Sequence, residues 1–382
     1  MSILVTGADG YMGWPLMLKL GKKYPNERII GIDNFGRRKW VEEIGSVSAL
    51  PIEDMATRIK AAKENGITNL NFVEGDLTNK DFVNEILEVY KPHTIIHTAA
   101  QPSAPYSQIN GERANYTQFN NMQSTRNLLW GLKELGLEDT HFIETTTTGT
   151  YGAPEFEIPE GFFEVEYKGG KDELLFPAIA GSWYHMTKCY DVSNMWLANK
   201  QWNLSITDIR TAIVFGTETE ETKMDPRLNT RFDFDFYFGV VVNRFCAMAL
   251  AGYPITVYGK GEQRKPMISL EDSIQSLVNA VEIENDGEFK VYNQTLKPFS
   301  IMRLAQAVKD SADKLGLDTE IKHVPNPRVE KEEHKMEMAN EKFMEEVLKQ
   351  EPLTIEEGVH EILSNLQEHQ ETVIEYQDRF MS

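Results

Sequence analysis

The chain has 382 residues, 41% of them hydrophobic and 26% charged, a balance that excludes a disordered or fibrous protein and, at about 150 residues per domain, predicts two lobes. Lys and Arg number 39 against 59 Asp and Glu, a net charge of −20; the mean field therefore repels nucleic acid and anionic membrane, and any phosphate must be held by local donors. The only two cysteines, Cys189 and Cys246, lie in apolar or helical stretches. They read as buried thiols of a reducing compartment, and no metal site is signalled. Met1 leads almost at once into an apolar strand-like run and no stretch of about 18 apolar residues occurs, so the expectation is a cytoplasmic protein with no membrane segment.

In chain order, short β-rich runs stand at Ile3 to Val5, Arg28 to Ile32, Asn69 to Val73, Thr94 to Thr98, His141 to Thr145 and Ser205 to Val214, with helical periodicity between several of them. Strands alternating with helices predict an α/β fold with a doubly wound parallel sheet. The spacer Phe35 to Gly66 is long enough for an elaborated crossover. Ala153 to Ile179 alternates around Gly169 and Gly170 as a hairpin would, and is a candidate lid. Residues 1–215 thus form the expected first domain, with the hairpin inserted at about 153–179. From 216 to 382 a smaller α/β lobe for substrate is expected, including a helix over Gly239 to Ala251 and a strand over Ile255 to Tyr258. Acidic helices over Asn340 to Met381 serve packing or an oligomer contact.

Gly7-Ala8-Asp9-Gly10-Tyr11-Met12-Gly13 follows the first strand directly and opens a helix from Trp14 to Leu20, the setting of a dinucleotide-binding turn in a Rossmann sheet. Glycines let the backbone approach a pyrophosphate, and helix N-terminal N–H groups attract it. Asp33, twenty residues beyond Gly13 at the end of the second strand, can accept from both ribose hydroxyls and disfavour a 2′-phosphate, which predicts NAD rather than NADP. Arg37 and Arg38, just after it, could instead hold that phosphate. Asn34 continues the same strand end, Asp76 and Leu77 follow the third strand, and Thr98, Ala99 and Ala100 follow the fourth. These positions lie where parallel sheets bind ligands.

Tyr184 and Lys188 are four apart in a helical stretch and project from one face. An ammonium beside a phenol, aided by a nicotinamide cation, draws the phenol pKa down from about 10 toward neutrality, where Tyr can take a hydroxyl proton. A surface Tyr and Lys pair on an amphipathic helix gives the same spacing. Thr145 to Thr148 end the fifth strand, and Thr147 is the candidate hydrogen-bond partner of the substrate oxygen. His185 is a candidate general acid or base, or else a residue of the pocket wall.

With the glycine turn, a threonine before Tyr151-Gly152 and Tyr184-x-x-x-Lys188 in place, the chain resembles the extended short-chain dehydrogenase/reductases that act on nucleotide sugars. Longer strings, Ser103-Ala104-Pro105-Tyr106-Ser107, Tyr116-Thr117-Gln118 with Asn120-Asn121, Ser182-Trp183-Tyr184-His185, Val242-Asn243-Arg244-Phe245-Cys246, Thr256-Val257-Tyr258-Gly259-Lys260-Gly261 and Pro325-Asn326-Pro327-Arg328-Val329-Glu330, are similar to the UDP-sulfoquinovose synthase family as far as about His334. That resemblance implies NAD, a UDP-sugar and sulfite or a sulfite donor: oxidation of UDP-glucose at C4, loss of water across C5 and C6, addition of sulfite, and reduction of C4. It implies Tyr184 as base, Lys188 as its partner, Thr147 as oxygen ligand and His185 for proton work at C5 or C6. It also implies Asn120 beside the cofactor, Asn243 on the diphosphate and Arg328 as a clamp on the UDP end. Gln101, Tyr106, Val257, Tyr258, Arg264 and Lys265 are the further substrate candidates. A homodimer through a helix pair is the family's default, with Glu112 to Leu135 as one surface.

The sequence departs from this family at the sulfite end. Ala100-Gln101-Pro102 stands where the family reads Glu-Gln-Arg, and Thr150 stands for a Glu. Arg210-Thr211 replaces Asn-Gln, and Gln263-Arg264-Lys265-Pro266 shifts an arginine by one place. Arg210 or Arg264 could compensate for the lost guanidinium. A UDP-sugar 4-epimerase, with the same C4 oxidation and no sulfite step, is the alternative these losses keep open.

Overall fold

Parallel strands need a crossover between them, and the helical segments of the sequence supply one at nearly every step. In the computed structural model, which describes residues 1–176, 178–325 and 336–381, β1 (Ser2–Thr6) leads through α1 (Gly13–Lys23) to β2 (Arg28–Asp33). Helices α2 (Gly36–Glu43) and α3 (Met55–Glu64) fill the long crossover to β3 (Leu70–Glu74), and α4 (Lys80–Tyr90) leads to β4 (Thr94–His97). Then come α5 (Gly111–Glu134), β5 (His141–Thr147), the hairpin β6 (Phe162–Tyr167) and β7 (Gly170–Leu175), α6 (Trp183–Trp202), β8 (Ile206–Thr211) and β9 (Ile213–Phe215). The remainder runs α7 (Val241–Leu250), β10 (Ile255–Tyr258), β11 (Arg264–Lys265), β12 (Met267–Ser269), α8 (Leu270–Ala280), β13 (Phe289–Gln294), β14 (Phe299–Ser300), α9 (Ile301–Lys314), β15 (Ile321–Val324), α10 (Ile355–Leu366) and α11 (Gln370–Glu375).

Seven strands form one parallel sheet in the order β13-β8-β5-β4-β1-β2-β3, a doubly wound Rossmann-type architecture. Strand order reverses at β1, where Ile3 pairs with Ile29 of β2 on one side and Thr94 of β4 on the other. A crevice opens beyond the carboxyl ends of strands at such a reversal. Apolar faces of α1 and α8 close one side of the sheet, with Trp14, Leu18, Ile274 and Leu277 fully buried, and α4, α5 and α6 close the other.

Three details differ from the expectation. The run from Ser205 to Val214 is two strands: Ala212 still donates to Gln294 of β13, but Ile213 turns away to donate to Pro266, and β9 pairs with β12. The boundary near residue 215 is crossed back, because α8 and β13 return to the sheet and its apolar side while α7, α9 and α10 build a second core around Val242, Phe245, Leu304 and Ile362. The hairpin forms, with Lys168 and Gly169 at left-handed φ of 51° and 82° in its turn. It is not a lid: Phe162 packs on Trp196 and Phe289, and no described residue of 153–179 lines the cavity between the lobes.

The acidic C-terminal segment packs inward. Glu160 ties it to the sheet, its carboxylate accepting from the backbone N–H of Asn293 (3.0 Å), Lys342 (2.8 Å) and Phe343 (3.2 Å). Among the described residues no helix is long and apolar enough to cross a membrane, and no cluster of His, Cys, Asp and Glu is arranged to hold a metal ion. Both thiols are free and buried.

Candidate active site

The carboxyl ends of β1 to β5 open onto a cavity of about 560 Å³ that the second lobe roofs. Gly7, at φ 76°, brings β1 against β4: a side chain there would press on the backbone of Ala99 and the Thr98 hydroxyl, each 2.9 Å away. At Gly13 a side chain would collide with the Gly7 carbonyl. Helix α1 starts on this turn with Met12 as N-cap and no side-chain cap, so its first N–H groups are left for an anion. Gly10, Tyr11, Met12, Asn34, Asp76, Leu77, Thr98, Ala99, Ala100 and Asn120 all line this cavity.

Asp33 lies at the edge of this cradle and accepts from the N–H groups of Asp9 (2.9 Å) and Phe35 (2.7 Å). Burial, and then the charge of Asp9, raise its pKa to about 6. The two arginines that complicated the sequence reading are engaged elsewhere. Arg38 grips Asp9 with two bonds of 2.7 Å, where Arg58 joins at 2.9 Å. Arg37 bonds Asp233 at 2.7 and 3.0 Å and stacks on Phe238, 4.1 Å from the ring centroid. Arg37 lines the cavity, but its charge is matched by the second lobe rather than presented to a ribose.

Helix α6 enters the site with Ser182 as N-cap, accepting from His185 N–H at 3.1 Å. Tyr184 is fixed from below by its N–H, which donates to Ser107 Oγ at 3.2 Å. Tyr184, His185 and Lys188 face the same cavity as the glycine turn, and so does Thr147, whose Oγ accepts from Gly149 N–H at 3.1 Å and keeps its proton to donate. Lys188 is buried against Glu144 (2.9 Å) and Asp191 (3.6 Å). Burial alone would depress its ammonium, but Glu144 and Asp191 outweigh it and hold the pKa up. For Tyr184 the expected fall is reversed: burial lifts the phenol above its ordinary value, with Lys188 pulling the other way. Burial, then Lys265, lower His185 to about 4, so its imidazole is neutral at pH 7. Gly149 makes room for that ring, which a side chain there would strike.

The substrate candidates divide. Asn243, Tyr258 and Lys265 line the cavity, Asn243 accepting from Gly216 N–H at 3.2 Å. Four others lie outside it. Gln101 is buried in the sheet lobe against Asn121, Tyr106 gives its hydroxyl to Glu43 at 2.8 Å, Val257 sits in the second core, and Arg264 points to solvent. Arg328 falls outside the described residues. Arg210 does not compensate either: it is buried, bonded to Asp208 at 2.9 Å and stacked on Tyr151. The sequence reading missed the roof, Phe236 to Val241 with Arg244, and the floor, Thr211 to Val214.

The chain belongs to the NAD dependent epimerase/dehydratase family, whose model matches residues 3–293. It is an enzyme of that family close to the UDP-sulfoquinovose synthases, being 44% identical over 336 residues to UDP-sulfoquinovose synthase of Sulfolobus acidocaldarius, with 87% of this chain and 84% of that protein covered. To the chloroplastic UDP-sulfoquinovose synthase of Spinacia oleracea it is 38% identical over 353 residues, 91% of this chain and 72% of the other. A UDP-glucose 4-epimerase from Thermotoga maritima, solved with UDP-glucose, has the same fold with a TM-score of 0.70 at 20% identity, covering 96% of this chain and 99% of that one. NAD is the family's cofactor, and the cradle suits it: the glycines leave backbone space, the first turn of α1 offers donors, and Asp33 offers a ribose acceptor.

Because Arg38 is locked on Asp9, Asp33→Ser alone is expected to leave NADP binding weak. Asp33→Ser with Asp9→Asn releases the guanidinium and tightens NADPH by more than about tenfold over the single variant, as one charge-assisted bond would. Fluorescence titration of NADPH reads the difference, and an equal gain in the single variant contradicts the lock.

Proposed function

We propose that this enzyme makes a UDP-sulfosugar from UDP-glucose and sulfite or a sulfite donor. The observation that carries the reading is that Tyr184, Lys188 and Thr147 face one cavity with the glycine turn and Asp33, in a chain 44% identical to a UDP-sulfoquinovose synthase. Bound NAD supplies the reversible oxidation at sugar C4. The remaining work falls to the chain. Tyr184 takes the proton of the C4 hydroxyl and later returns it, Lys188 stabilises the phenolate while it lasts, and Thr147 donates to the C4 oxygen. The C4 ketone acidifies C5–H, and the neutral His185 accepts that proton and passes it to the C6 hydroxyl, which leaves as water. Hydrogensulfite then adds at C6 of the alkene, its sulfur lone pair forming the C–S bond, and the proton it gives up passes through His185 to C5. Lys265, beside His185, supplies positive potential for the anionic nucleophile.

The uridine diphosphate fits the roof. Helix α7 has no side-chain cap at Val240, so its first N–H groups, with Asn243 and Arg244, form a diphosphate seat. Arg328 keeps the clamping role that the resemblance assigns. Incubation with UDP-glucose and NAD, with and without sulfite, tests the reading by product mass: a sulfonate product supports it, and an isomer of unchanged mass obtained under both conditions makes the enzyme a 4-epimerase instead. Tyr184→Phe is expected to lower turnover by more than about 100-fold with NAD still bound; full activity in that variant removes Tyr184 from the role of base.

A second copy of the chain fits the outer face of α5 and α6, where Phe119, Trp130, Tyr190 and Leu197 are exposed and Trp130 meets Trp202 at 4.8 Å. Light scattering is expected to give twice the chain mass for the wild type and the single mass for Trp130→Glu with Leu197→Glu. A monomeric wild type ends the dimer proposal.

A further inference from the structure

Behind Lys188 the charges do not balance as drawn. Glu144 on β5 and Asp191 on α6 are fully buried and bracket one ammonium, at 2.9 and 3.6 Å. Glu144 Oε2 and both oxygens of Asp191 lack a well-formed hydrogen bond, although Asp191 lies within reach of the Thr125 hydroxyl and of the Glu144 carboxyl. Oxygen facing oxygen is repulsive unless a proton lies between, and two carboxylates with one ammonium would leave a net negative charge where water is excluded.

Among the described residues no neighbour removes that charge. From β4, His97 sits between Thr6 Oγ (2.7 Å) and Thr125 Oγ of α5 (3.2 Å) and is neutral, because burial and then Lys188 keep its pKa well below the ordinary value. From β8, Asp208 is already matched by Arg210 and by the Thr146 hydroxyl of β5. Tyr184 and Cys189 on α6 are both raised by burial, and neither a phenol nor a thiol can supply positive charge. The remaining way to neutrality is a proton on the pair itself.

We propose that Glu144 and Asp191 share one proton and carry a single negative charge between them, and that this charge holds Lys188 as an ammonium at the spot from which it serves Tyr184. Both are positioning residues: neither lines the cavity, and they act through Lys188. Two carboxyls do what one could not, since Glu144 fixes the ammonium from the sheet and Asp191, three residues further along α6, fixes it from its own helix. The pair is raised as the proposal requires, Asp191 to about 6 and Glu144 well above the usual carboxyl range, in both cases by burial first. The role in turnover rests on the assignment of Tyr184 and Lys188 above; the shared proton does not.

Linkage gives the sign. Above about pH 5 the unfolded chain has both carboxyls ionised, while the folded chain keeps one proton on the pair. Stability from this pair is therefore present at low pH and lost as pH rises toward the folded pKa. The experiment measures unfolding in urea from pH 5 to 8, and turnover from pH 5 to 10, for the wild type, Glu144→Gln, Asp191→Asn and the double variant. Either single variant is expected to lose about one proton from the linkage slope, to lower kcat by less than about tenfold, and to move the alkaline limb by less than about one unit. The double variant has no counter-charge. It is expected to lose more than the product of the single effects, over about 100-fold in kcat, with the alkaline limb moved down by about two units or more as Lys188 gives up its proton.

An unchanged linkage slope in both single variants overturns the shared proton, and this readout stands even if the double variant does not fold. Single variants as damaging as the double one would show that one carboxyl cannot carry the counter-charge alone, which also overturns it. If the slopes change as expected while Tyr184→Phe remains active, the proton is real and the assignment of Tyr184 is what fails.

Discussion

The ammonium of Lys188 is almost wholly buried, and its end of the cavity is organised around that charge. A buried lysine with no anion beside it would lose its proton, and with it the means of stabilising a phenolate. Glu144 and Asp191 prevent this, one from the central strand and one from the helix that carries the lysine. The positions of β5 and α6 relative to each other therefore set the chemistry. Those positions follow from parallel pairing of β4, β5 and β8 and from the apolar face that α6 shares with them.

Sheet and second lobe divide the work. The sheet contributes what parallel strands offer at their carboxyl ends: a glycine turn with a helix start, the Asp33 carboxylate beside it, and Thr147, which faces the same cavity as the Tyr184 phenol. Charged residues that could confuse cofactor choice are neutralised in place, Arg38 by Asp9 and Arg37 by Asp233. The second lobe contributes a roof of aromatic residues and the start of α7. Because the chain re-enters the sheet through α8 and β13, the lobes are laced together rather than strung on one linker.

The cradle and the Tyr184 and Lys188 pair were legible in the sequence because each depends on local geometry. Gly7 needs a left-handed backbone that glycine alone adopts cheaply, and a spacing of four on a helix puts two side chains on one face. Residues carried over from similarity of strings fared less well, since a string does not say which way a side chain turns. Gln101, Tyr106 and Val257 belong to such strings and face inward. Arg264 and Lys265 sit side by side on a two-residue strand, where neighbours alternate faces and a one-residue shift in sequence exchanges solvent for the cavity. The roof from Phe236 to Val241 carries no motif and is brought to the site only by the packing of the second lobe.

Two of the departures from the family pattern can be placed. Arg210 is held by Asp208 and Arg264 turns outward, so neither guanidinium lines the cavity, whereas Lys265 does and lowers the His185 pKa. The central claim is that the Tyr184 phenol meets the sugar at C4. A crystal structure with NAD and UDP-glucose bound tests it most directly. The account predicts Tyr184 Oη and Thr147 Oγ both within about 3 Å of the C4 oxygen, the reach of one hydrogen bond. A sugar seated with C4 more than about 5 Å from both, and another side chain on that oxygen, would contradict it.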